Sequence, residues 1–344
     1  MKRKRPLQWT ALIGIAGSLF LPVLARADTY TFQTIGNSAD PVFNQLLSIN
    51  NAGAIAGYYG DGFAVANHGF TVTPPYAQAN FINENYPGAV QTQVTGISNQ
   101  GTTVGFYADA AGDNFGFSNQ GGVFTTVSNL NTPNQLLGVN DHNYAVGSYT
   151  DSAGTSHAYV YNLLTKQSFS LALPGAIQSV ATAMDNAGGD VSGDISGFLQ
   201  LANGNTAGFY HNRAEKGSLE FEAPGSTNTM FLGLNNNGLA VGSYVDANGL
   251  THGLVYNTIT NTYQTVDEPL ASANAAFDVT GTTINGINDQ GQLVGFYSDG
   301  TNLNGFLATP SAVPEPVSMR LLAASALLGL AFSKKARLRK GSEA

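Results

Sequence analysis

Three of the chain's five histidines open a recurring triplet: His68-Gly69-Phe70, His157-Ala158-Tyr159 and His252-Gly253-Leu254. Three imidazoles converging on one point make a zinc site, with Zn–N bonds of about 2.0–2.1 Å. Held apart, each imidazole instead serves as a hydrogen-bonding group for its nearest turn. Acidic, glycine-containing segments recur beside this position: Asp109-Ala110-Ala111-Gly112-Asp113, Asp151-Ser152-Ala153-Gly154 and Asp246-Ala247-Asn248-Gly249. Their carboxylate and carbonyl oxygens can contribute to the roughly six to eight that calcium takes. None has EF-hand spacing, and Asp with Gly is also the chemistry of a hairpin turn. His68, His157, His252, Asp109, Asp151 and Asp246 are therefore the candidate ligands, with Ca2+ as the candidate cation and turn formation as the competing role.

Other chemistry has less to draw on. Tyr58, Tyr107, Tyr149, Tyr244 and Tyr297 recur after a Val-Gly or equivalent pair, where they either stack on sugar rings or pack between elements. The single Trp, Trp9, falls in the N-terminal leader. No Gly-x-Ser-x-Gly elbow, HExxH helix or phosphate-binding loop occurs. With Arg213 alone between residues 28 and 313, no arginine cluster is available for a substrate carboxylate. Acidic pairs for glycoside cleavage are numerous, but none stands out. No catalytic or cofactor-binding residue is assigned, and the chain reads as a non-enzyme. With no cysteine, disulfide and thiolate chemistry are absent.

Charge narrows the partners further. Residues 28–313 hold three basic and twenty acidic side chains, a formal charge of −17. Such a surface repels nucleic-acid phosphates and anionic lipids. It leaves divalent cations, neutral glycans and basic partners.

The elements that must position these residues come as repeats. A unit with the pattern Gly-Ile-Asn-Asn-x-Gly, then Val-Gly-x-Tyr, then a polar turn and the triplet, occurs six times. Its leading apolar residue is Ile49, Ile97, Val139, Met184, Leu234 and Ile287, at intervals of 48, 42, 45, 50 and 53 residues. The 41 glycines and the low charged fraction of 10% suit short strands and tight turns rather than surface helices. Each copy offers about four strands. The second strands fall near 54–59, 103–107, 145–149, 240–244 and 293–297, and outer ones start at Phe124, Phe169 and Tyr263. Four short strands in about 45 residues is one propeller blade. The sixth copy has no fourth strand after Leu307, whereas the segment from Thr29 to Ile35 is a strand without a copy of its own. The expected fold is all-β: a six-bladed, propeller-like repeat domain over 28–310, closed by the N-terminal strand.

The two ends read as addresses. Lys2 to Arg5 precede an apolar run, and Ala25-Arg26-Ala27 supplies small residues at −3 and −1, which predicts a signal peptide over 1–27. In the tail, 311–344, Pro314-Glu315-Pro316 is followed by an apolar segment from Leu321 to Phe332 and then Lys334, Lys335, Arg337, Arg339 and Lys340. A basic cluster after a short apolar segment stays on the cytoplasmic side. This arrangement resembles the PEP-CTERM sorting tail of Gram-negative envelope proteins. The resemblance implies a C-terminal transmembrane sorting helix, recognition by an exosortase at Pro314, Glu315 and Pro316, and release to the outer surface or an exopolysaccharide matrix.

The repeats resemble the HAF repeats of exported bacterial proteins over residues 46–307. The likeness departs in copies two, four and six, where Phe115, Thr206 and Asn304 stand for the histidine. That family carries no chemistry to transfer. Taken together, the expectation is an exported envelope, surface or biofilm-matrix protein with a structural or interaction role. Its expected partners are signal peptidase, exosortase and exopolysaccharide, with transient attachment to the inner membrane. The alternatives are a calcium-assisted glycan-binding module and a propeller glycosidase or lyase.

Overall fold

The computed structural model describes residues 29–127, 130, 132–186, 193–213 and 217–311. The predicted signal peptide and the predicted transmembrane sorting helix lie outside these residues. Among the described residues no helix is long and apolar enough to cross a membrane.

Six antiparallel units of four strands follow one another along the chain. The first blade comprises Asn44–Ile49, Ile55–Tyr59, His68–Val72 and Phe81–Asn83. The second comprises Gln91–Ile97, Thr103–Ala108, Asn114–Gln120 and Val123–Thr126, and the third Asn134–Val139, Tyr144–Thr150, Ser156–Asn162 and Ser168–Ser170. The fourth comprises Gln178–Met184, Ile195–Gln200, Thr206–Asn212 and Gly217–Phe221, and the fifth Asn228–Leu234, Leu239–Val245, Thr251–Asn257 and Thr262–Thr265. The sixth has Thr282–Ile287, Leu293–Ser298 and Leu303–Pro310, and its outer strand is Tyr30–Thr34 from the other end of the chain. Phe32 pairs with Ala308 and Thr34 with Phe306, so the expected closure by the N-terminal strand is present. Blades four and five are joined by a single parallel pair, Thr206 with Asn228.

The innermost strands of neighbouring blades touch one another, and the first touches the last, which makes the stack a closed ring. Each inner strand carries a bulge at the same point: after Leu46, Val94, Leu136, Ala181, Phe231 and Ile284. A bulge bends the strand and steepens its twist, as convergence on an axis requires. The residue just beyond the bulge is Gly in four blades. A Cβ on Gly138 would sit 2.6 Å from the Thr182 carbonyl oxygen, and one on Gly286 would sit 2.9 Å from Ser48 Cα. The recurrent Gly-Ile-Asn of the sequence is thus a contact between backbones at the axis.

Between blades the core is apolar and continuous. Phe70, Phe117, Tyr159, Phe209, Leu254 and Phe306, the last residues of the six triplets, are all buried. Each contributes to the sandwich between its own blade and the preceding one, and that burial is the main stabilising term for a chain without disulfides.

Candidate functional site

The Asn pairs of the sequence form a ring at the axis. The first Asn of a pair folds its own turn: Asn50 Oδ1 accepts the amides of Ala52 and Ala54, at 3.0 and 2.9 Å. Asn140, Asn235 and Asn288 do the same for residues two and four further on. Its Nδ2 then reaches the next blade, as Asn50 does to the Ser98 carbonyl and Asn288 to the Asn50 carbonyl. Ser98 and Asp185 occupy this place in blades two and four and have no side-chain amide to donate.

The second residue of each pair makes a circuit. Backbone amides donate from Asn51 to Asn99 Oδ1, from Asn99 to Asp141, from Asp141 to Asn186 and from Asn186 to Asn236. Asn236 then donates to Asp289, and Asp289 back to Asn51, all at 2.6–3.0 Å. Six blades are linked by six such bonds. The axial cavity they border is about 80 Å3, room for water and little else.

The sequence-derived ligand candidates lie elsewhere, and each is engaged within its own blade. His68 Nδ1 accepts from the Asn85 amide at 2.8 Å, and its ring lies 5.0 Å from that of Tyr59. His157 Nε2 donates to Asp151 at 2.9 Å and faces Tyr149. His252 donates through Nδ1 to Asp267 at 2.8 Å, has Asp246 at 3.6 Å from Nε2, and stacks on Tyr244. The histidines therefore act as cross-strand partners of a tyrosine. Among the described residues no group of three or more His, Asp or Glu is placed to hold a metal ion.

Register corrects two sequence assignments. The tyrosine equivalent to Tyr107, Tyr149, Tyr244 and Tyr297 is Tyr59, which pairs with His68; Tyr58 is one position earlier and buried. In the fourth blade the histidine position is taken by Ala207, since Gly208 and Phe209 complete that triplet. The expected position, Thr206, is one residue short.

The acidic loops are turns. Asp109 Oδ1 accepts the amides of Ala111 and Asp113, Asp151 those of Ala153 and Thr155, and Asp246 those of Asn248 and Leu250. The His157 hydrogen bond and then the Thr155 amide hold Asp151 below the usual carboxylate range. The Leu250 amide lowers Asp246, and the Val65 amide does so for Asp61. In each, accepting amide protons favours the charged form.

The chain's charge is unequally shared between the two faces. The hairpins joining second and third strands carry Asp61, Asp109, Asp113, Asp151, Asp246 and Asp299 on one face, where the described residues include no Lys or Arg. The opposite face has the Asn ring, Lys166 and Arg213. Both described chain ends are on that face too: the Ser311 amide donates to the Thr29 carbonyl at 2.7 Å, and Gln292, beside the last Asn turn, reaches Thr309.

No protein-family profile and no curated protein sequence matches the chain. Solved structures do resemble it. TolB from Acinetobacter baumannii superposes with a TM-score of 0.51 at 11% identity, over 76% of this chain and 64% of that one. This chain thus spans less than two thirds of that protein's length. A putative TolB from Agrobacterium tumefaciens superposes with a TM-score of 0.56 at 9% identity, over 83% of this chain and 100% of that one. At such identities the likeness concerns the fold alone, and the chain is an all-β propeller.

Proposed function

We propose that the chain is an exported surface or matrix protein whose propeller acts as a rigid interaction disc. The observation that carries this reading is the shared exit of the two ends, tied together by the Ser311–Thr29 hydrogen bond on the less acidic face. A leader and a sorting tail leaving side by side put attachment on one face and free the other for partners. The small-residue site at Ala25 and Ala27 and the Pro314-Glu315-Pro316 tail support export by signal peptidase and exosortase, with an exopolysaccharide matrix as the destination. The acidic hairpin face fits neutral or cationic partners and disfavours anionic lipid.

The test is the intact mass of the protein recovered from its native host. The expected termini are Asp28 and a residue near Pro316. A mass that still includes Leu321 to Lys340 would instead mean a membrane-anchored protein, and the matrix destination would be lost.

A further inference from the structure

We propose that the cleft between the first and second blades, on the acidic hairpin face, binds a neutral saccharide ring, and that the cleft between the third and fourth blades is a smaller copy of it. The proposal concerns a ligand and not an address, so it stands apart from the export reading.

The first cleft has a volume of about 520 Å3 and the second about 190 Å3. Their walls correspond strand by strand. Phe106 and Phe198 hold the same register position, opposite Gln93 and Val180 on the inner strands. The inner strands are entered by Val90-Gln91-Thr92 in one and Ile177-Gln178-Ser179 in the other. Neither phenylalanine is fully buried, and neither has an aromatic neighbour among the described ring contacts.

The other blades show what normally happens at this position. Blades three and five have Ser148 and Ser243, opposite Gln135 and Met230. Blades one and six have Tyr58 and Phe296, and there the chain covers its own aromatic surface. Both rings are buried in one cluster with Phe43 and Leu303, against which Val279 of the 267–281 connection packs. Blades two and four have the aromatic residue without the cover.

The difference in the walls points to the occupant. In the covered sixth blade the third strand begins with apolar Leu303; in the open clefts it begins with Asn114 and Thr206. Around Phe106 stand further polar groups. Gln93 donates its Nε2 to Asn67 at 2.8 Å and keeps its carbonyl oxygen for another partner. Asp109, which lines the cleft, binds the turn amides through Oδ1 alone. The Asn114 side chain has no partner among the described residues. An apolar plate edged with amides and one carboxylate matches a pyranose, which has a C–H face and an equatorial rim of hydroxyls. A peptide side chain would suit the apolar wall of blade six better. The Asp109 carboxylate weighs against an anionic sugar.

The test is saturation-transfer NMR and calorimetry on the full chain with methyl glucoside, methyl galactoside, methyl mannoside and methyl glucuronide. Transfer to the ring protons of at least one neutral glycoside is expected, with the glucuronide weaker. Phe106→Leu keeps an apolar side chain and removes the ring face, and should weaken binding by about tenfold. Asn114→Ala removes a side chain without structural bonds and should weaken binding several-fold while leaving the fold intact, so it decides the matter if the leucine variant unfolds. Phe198→Leu should remove only the weaker component. The proposal is overturned if no neutral glycoside shows transfer to the folded chain, if binding survives Phe106→Leu and Asn114→Ala unchanged, or if the glucuronide binds as well as the glucoside. None of these outcomes alters the intact mass in the host, which reports on export alone.

Discussion

The backbone amide of Asp289 donates to Asn51 Oδ1 at 2.9 Å, and Asn51 Nδ2 returns a bond to Asp289 Oδ2 at 2.7 Å. Residues 238 positions apart in sequence are thereby neighbours at the axis, and they complete a circuit that runs through every blade. The Asn pairs divide two tasks between them. The first residue is buried, shapes its turn and, where it is Asn, also reaches the next blade through Nδ2; the second is more exposed and forms the circuit of amide bonds between blades.

That division is measurable. Asn50→Ala would leave two turn amides and the Ser98 carbonyl without their partner in a buried site, at a cost of about 3 kcal/mol. Asn51→Ala breaks a link that water can replace and should cost only about 1 kcal/mol. Thermal melts of the two variants should therefore differ by several degrees, with the Asn50 variant lower. Equal melting temperatures would contradict the assignment.

The axis should be intolerant of a single methyl group at Gly138. Its added Cβ would meet the Thr182 carbonyl at 2.6 Å and Ala183 Cα at 2.8 Å, both backbone atoms of the next inner strand. Gly138→Ala is expected to lose about 2–3 kcal/mol in urea unfolding. The exposed turn glycine Gly112 has nothing within 4 Å, but its φ of +89° makes alanine strained there too. Its cost should be about 1 kcal/mol, and it is a control for loss of a glycine away from the axis.

Acid should act on stability in two opposing ways. Asp61, Asp151 and Asp246 are held below the ordinary aspartate value, so their contribution is present above that value and declines as pH falls through their lower folded values. Glu268 is the reverse case. Burial raises it above 4.5, so its ionised form disfavours the fold at neutral pH and protonation relieves this. Glu268→Gln should melt higher than the parent at pH 7, and the gain should shrink as pH falls through the raised folded value of Glu268 and be gone by about 4.5. A gain that is constant with pH would assign the effect to packing instead.

The closing strand can be tested by hydrogen exchange. Phe32 is half-buried and its ring lies 5.6 Å from that of Phe306. Phe32→Ala should cost about 2 kcal/mol. The loss should appear first as faster exchange of the amides of Leu303–Pro310, with the inner strands of blades two to five still protected. Uniformly faster exchange would mean that the ring opens as one unit.

Much of this architecture is legible in the sequence because it is written in local periodicity. An Asn in at least one place of each recurring pair marks every turn at the axis, and the unmatched strand from Thr29 to Ile35 announces the closure. What is not legible depends on register and on contacts between copies. The histidine triplets suggest convergence only if strand order is known but strand direction within the blade is not; in three dimensions each His faces its own Tyr. A one-residue slip moved the assigned tyrosine to Tyr58 and the fourth triplet to Thr206, as a period of two makes easy. Outer strands Phe81–Asn83 and Gly217–Phe221 lack the pattern of the other copies and escape notice. The paired clefts do leave a trace, Val-Gln-Thr at 90–92 and Ile-Gln-Ser at 177–179, each with a later phenylalanine. That trace becomes meaningful only beside the covered copy around Phe296.

The closure of the last blade also sets an order of events. Tyr30–Thr34 is among the first described segments to be synthesised, yet its partner, Leu303–Pro310, is among the last. Until that partner arrives, the early strand has no sheet to join and the ring has an open seam. An unpaired edge of this kind is where chains associate wrongly. A chain cut short before residue 303 can stack its early blades but never seal them, so completion of the disc is itself a check on length.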